Sequence, residues 1–291
     1  MGYLYAFVTI VFWALNIVLA KYFSANILPF QLSLSRWLVA AIVILPFSAK
    51  ELWRLRYEIK QHFMYFCGVA ILGVVFANTI LYFAAETLTP TDVGLLQITS
   101  PLFLTILSVI FLKDTLNYKQ VIGICIAIIG VFEVLLKGKW ESLGQMKFGV
   151  GDLYMLMFSV SFAAYSLLQK KRPKEFSQVG LLAITIILGA LILLPITYYS
   201  EGIPRLDKKD LEFVAYLGIC NSVIAFLFWN IALSKLGDIK TSMFFYLMPF
   251  MISILSYMIF GSKLTSFEIY GGALIIFGIL IMNFSATRKI E

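Results

Sequence analysis

Long apolar runs broken by short polar stretches set the pattern of this chain. Ten windows, roughly 3–23, 30–48, 63–85, 92–112, 118–136, 152–170, 178–199, 212–233, 240–260 and 267–286, are mostly apolar. Each has about the 20 residues that a helix needs to cross the hydrocarbon core of a bilayer. Their centres hold no Asp, Glu, Lys or His, and Arg36 stands near the start of the second window. Apolar and polar residues do not alternate every second position, so the runs predict helices rather than barrel strands. The expected fold class is an all-α integral membrane protein with ten transmembrane helices. The first run begins at Tyr3 without a basic stretch before it or a small-residue cleavage site after it, which predicts a retained helix.

Composition sharpens the picture. Hydrophobic residues make up 61% of the 291 positions and charged residues 13%, at a mean hydropathy of +0.92. A soluble domain runs at roughly 45–50% apolar and about 25% charged. This excludes a soluble enzyme, a disordered chain and a nucleic-acid-binding domain, despite the net charge of +7. With the N-terminus inside, 14 Lys and Arg fall on the cytoplasmic side and 8 outside. That bias predicts a multi-pass protein of the cell (inner) membrane with both termini cytoplasmic. Cys67, Cys125 and Cys220 lie within apolar windows without metal-ligand spacing. They read as packing residues, and neither a metal nor a cofactor is expected.

The two halves resemble each other. A shift of 148 residues places Leu88, Pro101, Gly123 and Gly130 on Leu236, Pro249, Gly271 and Gly278. A shift of 149 places Leu4, Tyr5 and Lys21 on Leu153, Tyr154 and Lys170. Residues 1–137 and 150–287 therefore read as two five-helix units. Five is odd, so the second unit enters the membrane upside down relative to the first. Inverted repeats are a transporter architecture, with a substrate site near the midplane between the halves. The plainer alternative is duplication without transport.

These residues resemble a known family. Phe12-Trp13-Ala14-Leu15-Asn16 with Lys21 is similar to the first-helix signature of EamA-type transporters in the drug/metabolite transporter superfamily, and so is Arg36. The block from Thr89-Pro90 through Pro101, Leu112-Lys113-Asp114, Leu116, Gln120, Gly123 and Gly130 is the strongest match. Its second copy runs Pro249, Gly261, Leu264-Thr265, Glu268, Gly271-Gly272 and Gly278, with Ser262 where the family usually has an acidic residue. The resemblance implies ten helices in two inverted five-helix units around a central cavity. It also implies alternating access, and export or exchange of amino acids and related metabolites.

Several residues are candidates for the site, each with a structural alternative. Pro101 and Pro249 free the carbonyls of Gln97 and Phe245 and kink their helices, either to expose a polar group to a cavity or only to bend the chain. Asn16, Asn78, Gln97, Asn221 and Asn230 are intramembrane amides that must pair with another helix, water or substrate. Gln97, one turn before Pro101, is the foremost candidate. Trp13, Tyr82, Tyr165, Trp229 and Tyr246 offer large faces with one polar handle each. Tyr82 and Trp229, near their window ends, also read as interface anchors. Arg36 reads as a structural or gating group ahead of direct substrate contact, and snorkelling is its alternative. Lys21 and Lys170 read as gate-edge or interface groups. Gly123, Gly130, Gly271 and Gly278 read as small residues on which units or protomers pack, allowing a homo-oligomer.

The leading function is a secondary transporter, with the lipid bilayer and a small-molecule metabolite as its partners. A channel and a membrane-embedded enzyme are the rivals. The single His62 lies in a basic loop, and no nucleophile elbow, metal cluster or Walker motif is present. No window centre holds a carboxylate, and Glu86, Asp92, Glu133 and Asp152 lie near window ends. That pattern predicts facilitated diffusion or exchange rather than proton antiport through a central carboxylate.

Overall fold

The computed structural model describes residues 1–23, 27–113, 117–136, 138–145, 149–261 and 265–285. Asp114, Leu116, Ser262 and Leu264 of the paired motifs lie outside the described residues, as do Lys137 and the tail from 286.

Among the described residues the chain is helical throughout. The first half contains α1 (Gly2–Phe23), α2 (Pro29–Arg54), α3 (Arg56–Gln61), α4 (Phe63–Ala70), α5 (Ala77–Thr87), α6 (Pro90–Gln97), α7 (Thr99–Leu112) and α8 (Tyr118–Leu135). The second contains α9 (Val150–Lys170), α10 (Gln178–Ser200), α11 (Lys208–Tyr216), α12 (Ala225–Leu236), α13 (Asp238–Ser242), α14 (Met248–Phe260) and α15 (Ser266–Ser285). Eight stretches are long and apolar enough to cross a membrane. They are Gly2–Lys21, Pro29–Arg54, Phe63–Thr87, Pro90–Phe111, Val150–Gln169, Gln178–Ser200, Lys208–Leu236 and Lys240–Ile259. In the fifth and tenth windows the apolar helix is shorter, Tyr118–Gly130 and Ile269–Gly278. Where ten windows were expected, eight therefore meet the length of a span among the described residues.

The outer faces suit lipid rather than water. Ile42 and Phe47 of α2, Ile110 and Phe111 of α7 and Leu191 of α10 are all exposed. In water such a surface would drive aggregation, whereas lipid tails solvate it. With no hydrophobic gain between helices in lipid, close packing has to hold the bundle together. The contact of α8 with α15 is built that way. A Cβ on Gly278 would fall 2.6 Å from the carbonyl oxygen of Gly123 and 2.9 Å from the amide nitrogen of Ala127. Gly123 and Gly278 of the glycine stripe thus serve packing inside this chain.

The contacts of the two halves mirror one another. α1 lies against α12 and α14, while α9 lies against α5 and α7. α2 packs on the π-helical stretch Leu217–Ile224 and α10 on the corresponding stretch Ile71–Phe76. Two long helices, α2 and α10, pack on each other.

Four helical spans depart from regular geometry, and each departure has a local cause. In the π-helical turns a side chain takes a carbonyl five residues back. The Asn78 amide donates to the Gly73 carbonyl, and Ser222 Oγ donates to Leu217 O at 2.9 Å. Pro101 is the third residue of α7, just after the break at Ile98. Pro249 is the second residue of α14 and follows the 3₁₀ turn Met243–Leu247. Both prolines sit in a first helical turn, where the missing N–H would have lacked a partner anyway.

Candidate functional site

The irregular turns project polar side chains into the centre of the bundle. Asn16, Asn78, Gln97 and Asn221 converge there with Trp13, Phe158, Phe162 and Phe226 around a small cavity. Water has about 20 Å³ available between them, room for roughly one molecule. The Gln97 side-chain amide oxygen, Oε1, is buried and makes no hydrogen bond. It is held there because α6 ends at Gln97 and the chain turns before α7.

Arg36 closes one side of this centre. It is fully buried, so its side chain turns into the bundle rather than snorkelling to an interface. Nε donates to Ser222 Oγ at 2.9 Å, and Nη1 donates to the Tyr82 hydroxyl at 2.6 Å. With the Asn221 amide turned so that its oxygen faces the guanidinium, it accepts from Nη1 at 3.2 Å and Nη2 at 3.1 Å. The guanidinium carbon also lies 4.6 Å from the centre of the Trp37 ring. Among the described residues no carboxylate forms an ion pair with Arg36. The charge is stabilised by neutral acceptors and two aromatic rings, Trp37 and Tyr82, which spread it without cancelling it. Tyr82 passes the network on, donating to Asn16 Oδ1 at 3.4 Å.

Beside the polar centre stands an aromatic wall. Trp13 lies 5.1 Å from Trp229 and 5.6 Å from Phe245, and Phe162 lies 5.7 Å from both Tyr165 and Trp229. Trp229 and Tyr82 are buried in the bundle, so neither is an interface anchor. The Tyr165 ring packs where a Cβ on Gly73 would be, which is why a glycine sits in that π turn. Its hydroxyl donates to Asn230 Oδ1 at 3.3 Å.

Asn230 leads to a second, larger cavity. It lies between the end of α9, the start of α10 and the end of α12, and encloses about 320 Å³. Gln169, Arg172, Gln178, Asn230 and Leu233 are part of its wall. The opposite end of the bundle carries the counterpart, lined by Ala20, Pro29, Leu32, Tyr82, Ala85 and Glu86. Shifts of 148 and 149 residues carry Ala20, Pro29, Tyr82 and Ala85 onto Gln169, Gln178, Asn230 and Leu233. That counterpart has only about 10 Å³. One end is open and the other shut.

Named contacts hold each end. At the shut end Lys21 Nζ donates to the carbonyls of Ala85 at 2.9 Å and Glu86 at 3.1 Å. There, too, a Glu201 carboxylate oxygen accepts from the Gln31 backbone N–H at 2.9 Å. At the open end Glu51 takes the Ser177 N–H and hydroxyl, each at 2.6 Å. The start of α2 is thus held by Glu201, just past the end of α10, and the N-cap Ser177 of α10 by Glu51 near the end of α2.

The bundle brings together Trp13, Asn16, Asn78, Tyr82, Gln97 and Arg36, with Tyr165 and Trp229 packed beside them and Asn230 on the wall of the larger cavity. It sets Tyr246 apart, in a separate cluster with Ile98, Ile124 and Met243. Ser222, Gln169, Arg172 and Gln178 were not singled out in the sequence. Gln169 and Gln178 were legible as amides at span ends, but Arg172 was one more basic loop residue.

Residues 1–136 and 149–284 each match the EamA-like transporter family. The chain belongs to that family. Among its relatives, this EamA-like protein is 27% identical over 265 residues to the uncharacterized transporter YyaM of Bacillus subtilis, covering 90% of this chain and 87% of the relative. It is 24% identical to the S-adenosylmethionine uptake transporter of Rickettsia bellii, covering 95% of this chain and 91% of that one. A protein of known crystal structure shares the fold, with a TM-score of 0.75 at 18% identity over 100% of this chain and 99% of the other. The family and the names of the relatives indicate a transporter rather than an enzyme.

Proposed function

We propose that this EamA-like protein is a secondary transporter that moves small metabolites by alternating access. Amino acids and related compounds fit best, because amides and a guanidinium face a polar head while Trp13 and Phe162 accept an apolar side chain. The observation that carries the reading is the unequal pair of equivalent cavities, about 320 Å³ at one end and about 10 Å³ at the other, with the polar centre sealed between them. Exchanging the two states opens the shut end and closes the open one. The mirrored contacts of the two halves and the two family matches support a pair of five-helix units in inverted orientation, ten spans in all. Helices α8 and α15 supply the fifth and tenth. The bias of basic residues puts both termini, and with them the open cavity, on the cytoplasmic side of the cell (inner) membrane.

The central cavity is lined by neutral amides and aromatic rings, without a carboxylate or His among its lining residues. That favours facilitated diffusion or exchange, since a proton antiporter needs an ionisable group served from both sides. The test is cysteine labelling in a cysteine-free background, run alongside counterflow in proteoliposomes. Ser234→Cys, on the wall of the open cavity, is expected to react from the side of Lys174. Ala85→Cys, in the shut one, is expected to react from the other side, and only as Ser234→Cys becomes protected. Simultaneous labelling of both would leave a channel. Accumulation driven by a pH gradient alone would overturn the exchange mode.

A further inference from the structure

The open cavity holds more than a passage requires. Oε1 of Gln169, Nη1 of Arg172, Oε1 of Gln178 and Nδ2 of Asn230 are buried without a hydrogen-bond partner, and all four residues line this cavity. Gln169 is 7% exposed and Asn230 2%, so these are fixed wall groups rather than surface side chains. Folded proteins leave few buried polar atoms unpaired, since each costs about 1–3 kcal/mol. Four such atoms around one cavity call for a partner from outside the chain. The volume, about 320 Å³, falls in the range of small-ligand sites.

The kinds of atom narrow the partner. Arg172 forms no ion pair among the described residues, and its guanidinium presents a fork that matches a carboxylate. Gln169 and Asn230 add amide donors on the same wall. Yet Gln169 and Gln178 also present carbonyl oxygens, which repel a densely charged phosphate and accept from a hydroxyl or an ammonium. A carboxylate with a donor on the adjacent carbon satisfies both sets. Asn230 ties this wall to the centre, because it holds the Tyr165 hydroxyl and the Tyr165 ring lies tilted against Phe162 of the central cavity.

We infer that Gln169, Arg172, Gln178 and Asn230 form a binding site for a small carboxylate bearing a neighbouring hydroxyl or amino group. The site is the first station of the transported molecule at the open end. The second statement rests on the transport reading, whereas the first stands on the cavity itself.

The experiment uses the full chain purified in neutral detergent without added lipid. Tryptophan fluorescence and thermal shift are followed with lactate, malate, alanine and glutamate, and with inorganic phosphate and lactamide as controls. At least one of the carboxylates is expected to bind saturably, at least ten-fold more weakly to Arg172→Gln and with partial recovery in Arg172→Lys. Gln169→Leu, which changes no charge, is expected to weaken binding while raising thermal stability. Lactamide is expected to give no signal. Saturation by none of the four, phosphate binding in their place, equal binding of lactamide, or an unchanged Kd in Arg172→Gln would each overturn the site. Counterflow of the bound carboxylate separates the two readings. Binding without counterflow removes the first-station role and leaves the site, and counterflow with an unchanged KM in Arg172→Gln removes the site from the path.

Discussion

Replacing Gln97 by Leu separates an amide that binds substrate from one that glues helices. Its side-chain amide oxygen is buried at the central cavity without a partner. An unsatisfied buried acceptor costs about 1–3 kcal/mol, and a leucine of similar size removes that penalty. At roughly 2–4 °C per kcal/mol for a chain of this order, Gln97→Leu is expected to raise the melting temperature by a few degrees. Transport moves the other way. A neutral hydrogen bond to substrate is worth about 0.5–1.5 kcal/mol net, so KM rises roughly 2- to 10-fold. The assay is thermal unfolding in detergent, followed by tryptophan fluorescence, with counterflow kinetics in proteoliposomes on the same preparation. A lower melting temperature with unchanged kinetics would refute the reasoning, since that is how an interhelical amide behaves. The rise in stability with loss of function is the signature of a polar group kept for its ligand.

Three further outcomes follow from named contacts. Tyr82→Phe removes the 2.6 Å bond from Arg36 and is expected to destabilise by about 1.5–3 kcal/mol. Arg36→Met is then less harmful in the Tyr82→Phe background, and additivity within about 0.5 kcal/mol in a double-mutant cycle would dissolve the pairing. Lys21→Met unties the carbonyls of Ala85 and Glu86 at the shut end. A charged bond worth about 1.5–3 kcal/mol shifts the open population roughly ten-fold or more, read as faster labelling of Ala85→Cys, and an unchanged rate contradicts Lys21 as a latch. Gly278→Val drives a side chain into the backbone of α8 and is expected to lower stability by about 1–3 kcal/mol. Full thermal stability in that variant would mean that α8 and α15 do not meet there.

The pattern of the sequence determined the class of the molecule. Long apolar runs have one solution in lipid, because a helix alone satisfies its own backbone. The paired Pro101 and Pro249, and the glycines on α8 and α15, likewise announced the repeat and the close packing. Asn16, Asn78, Gln97 and Trp13 stood out because polar or amphipathic groups in an apolar run need a reason to be there. What the sequence left open was decided by tertiary contacts between residues far apart in the chain. Arg36 was equally compatible with snorkelling, and only the arrival of Ser222, Tyr82 and Asn221 around it turned it inward. Tyr82 and Trp229 lie near window ends and read as interface anchors, until packing against α1, α2 and α9 buried them. Tyr246 faced away from the cavity because the 3₁₀ turn before Pro249 sets its direction, which periodicity of a regular helix misses. The wall of the open cavity was hidden as well. Gln169, Gln178 and Asn230 come from three helices and Arg172 from the loop between two of them, and a shared cavity is a property of their packing alone.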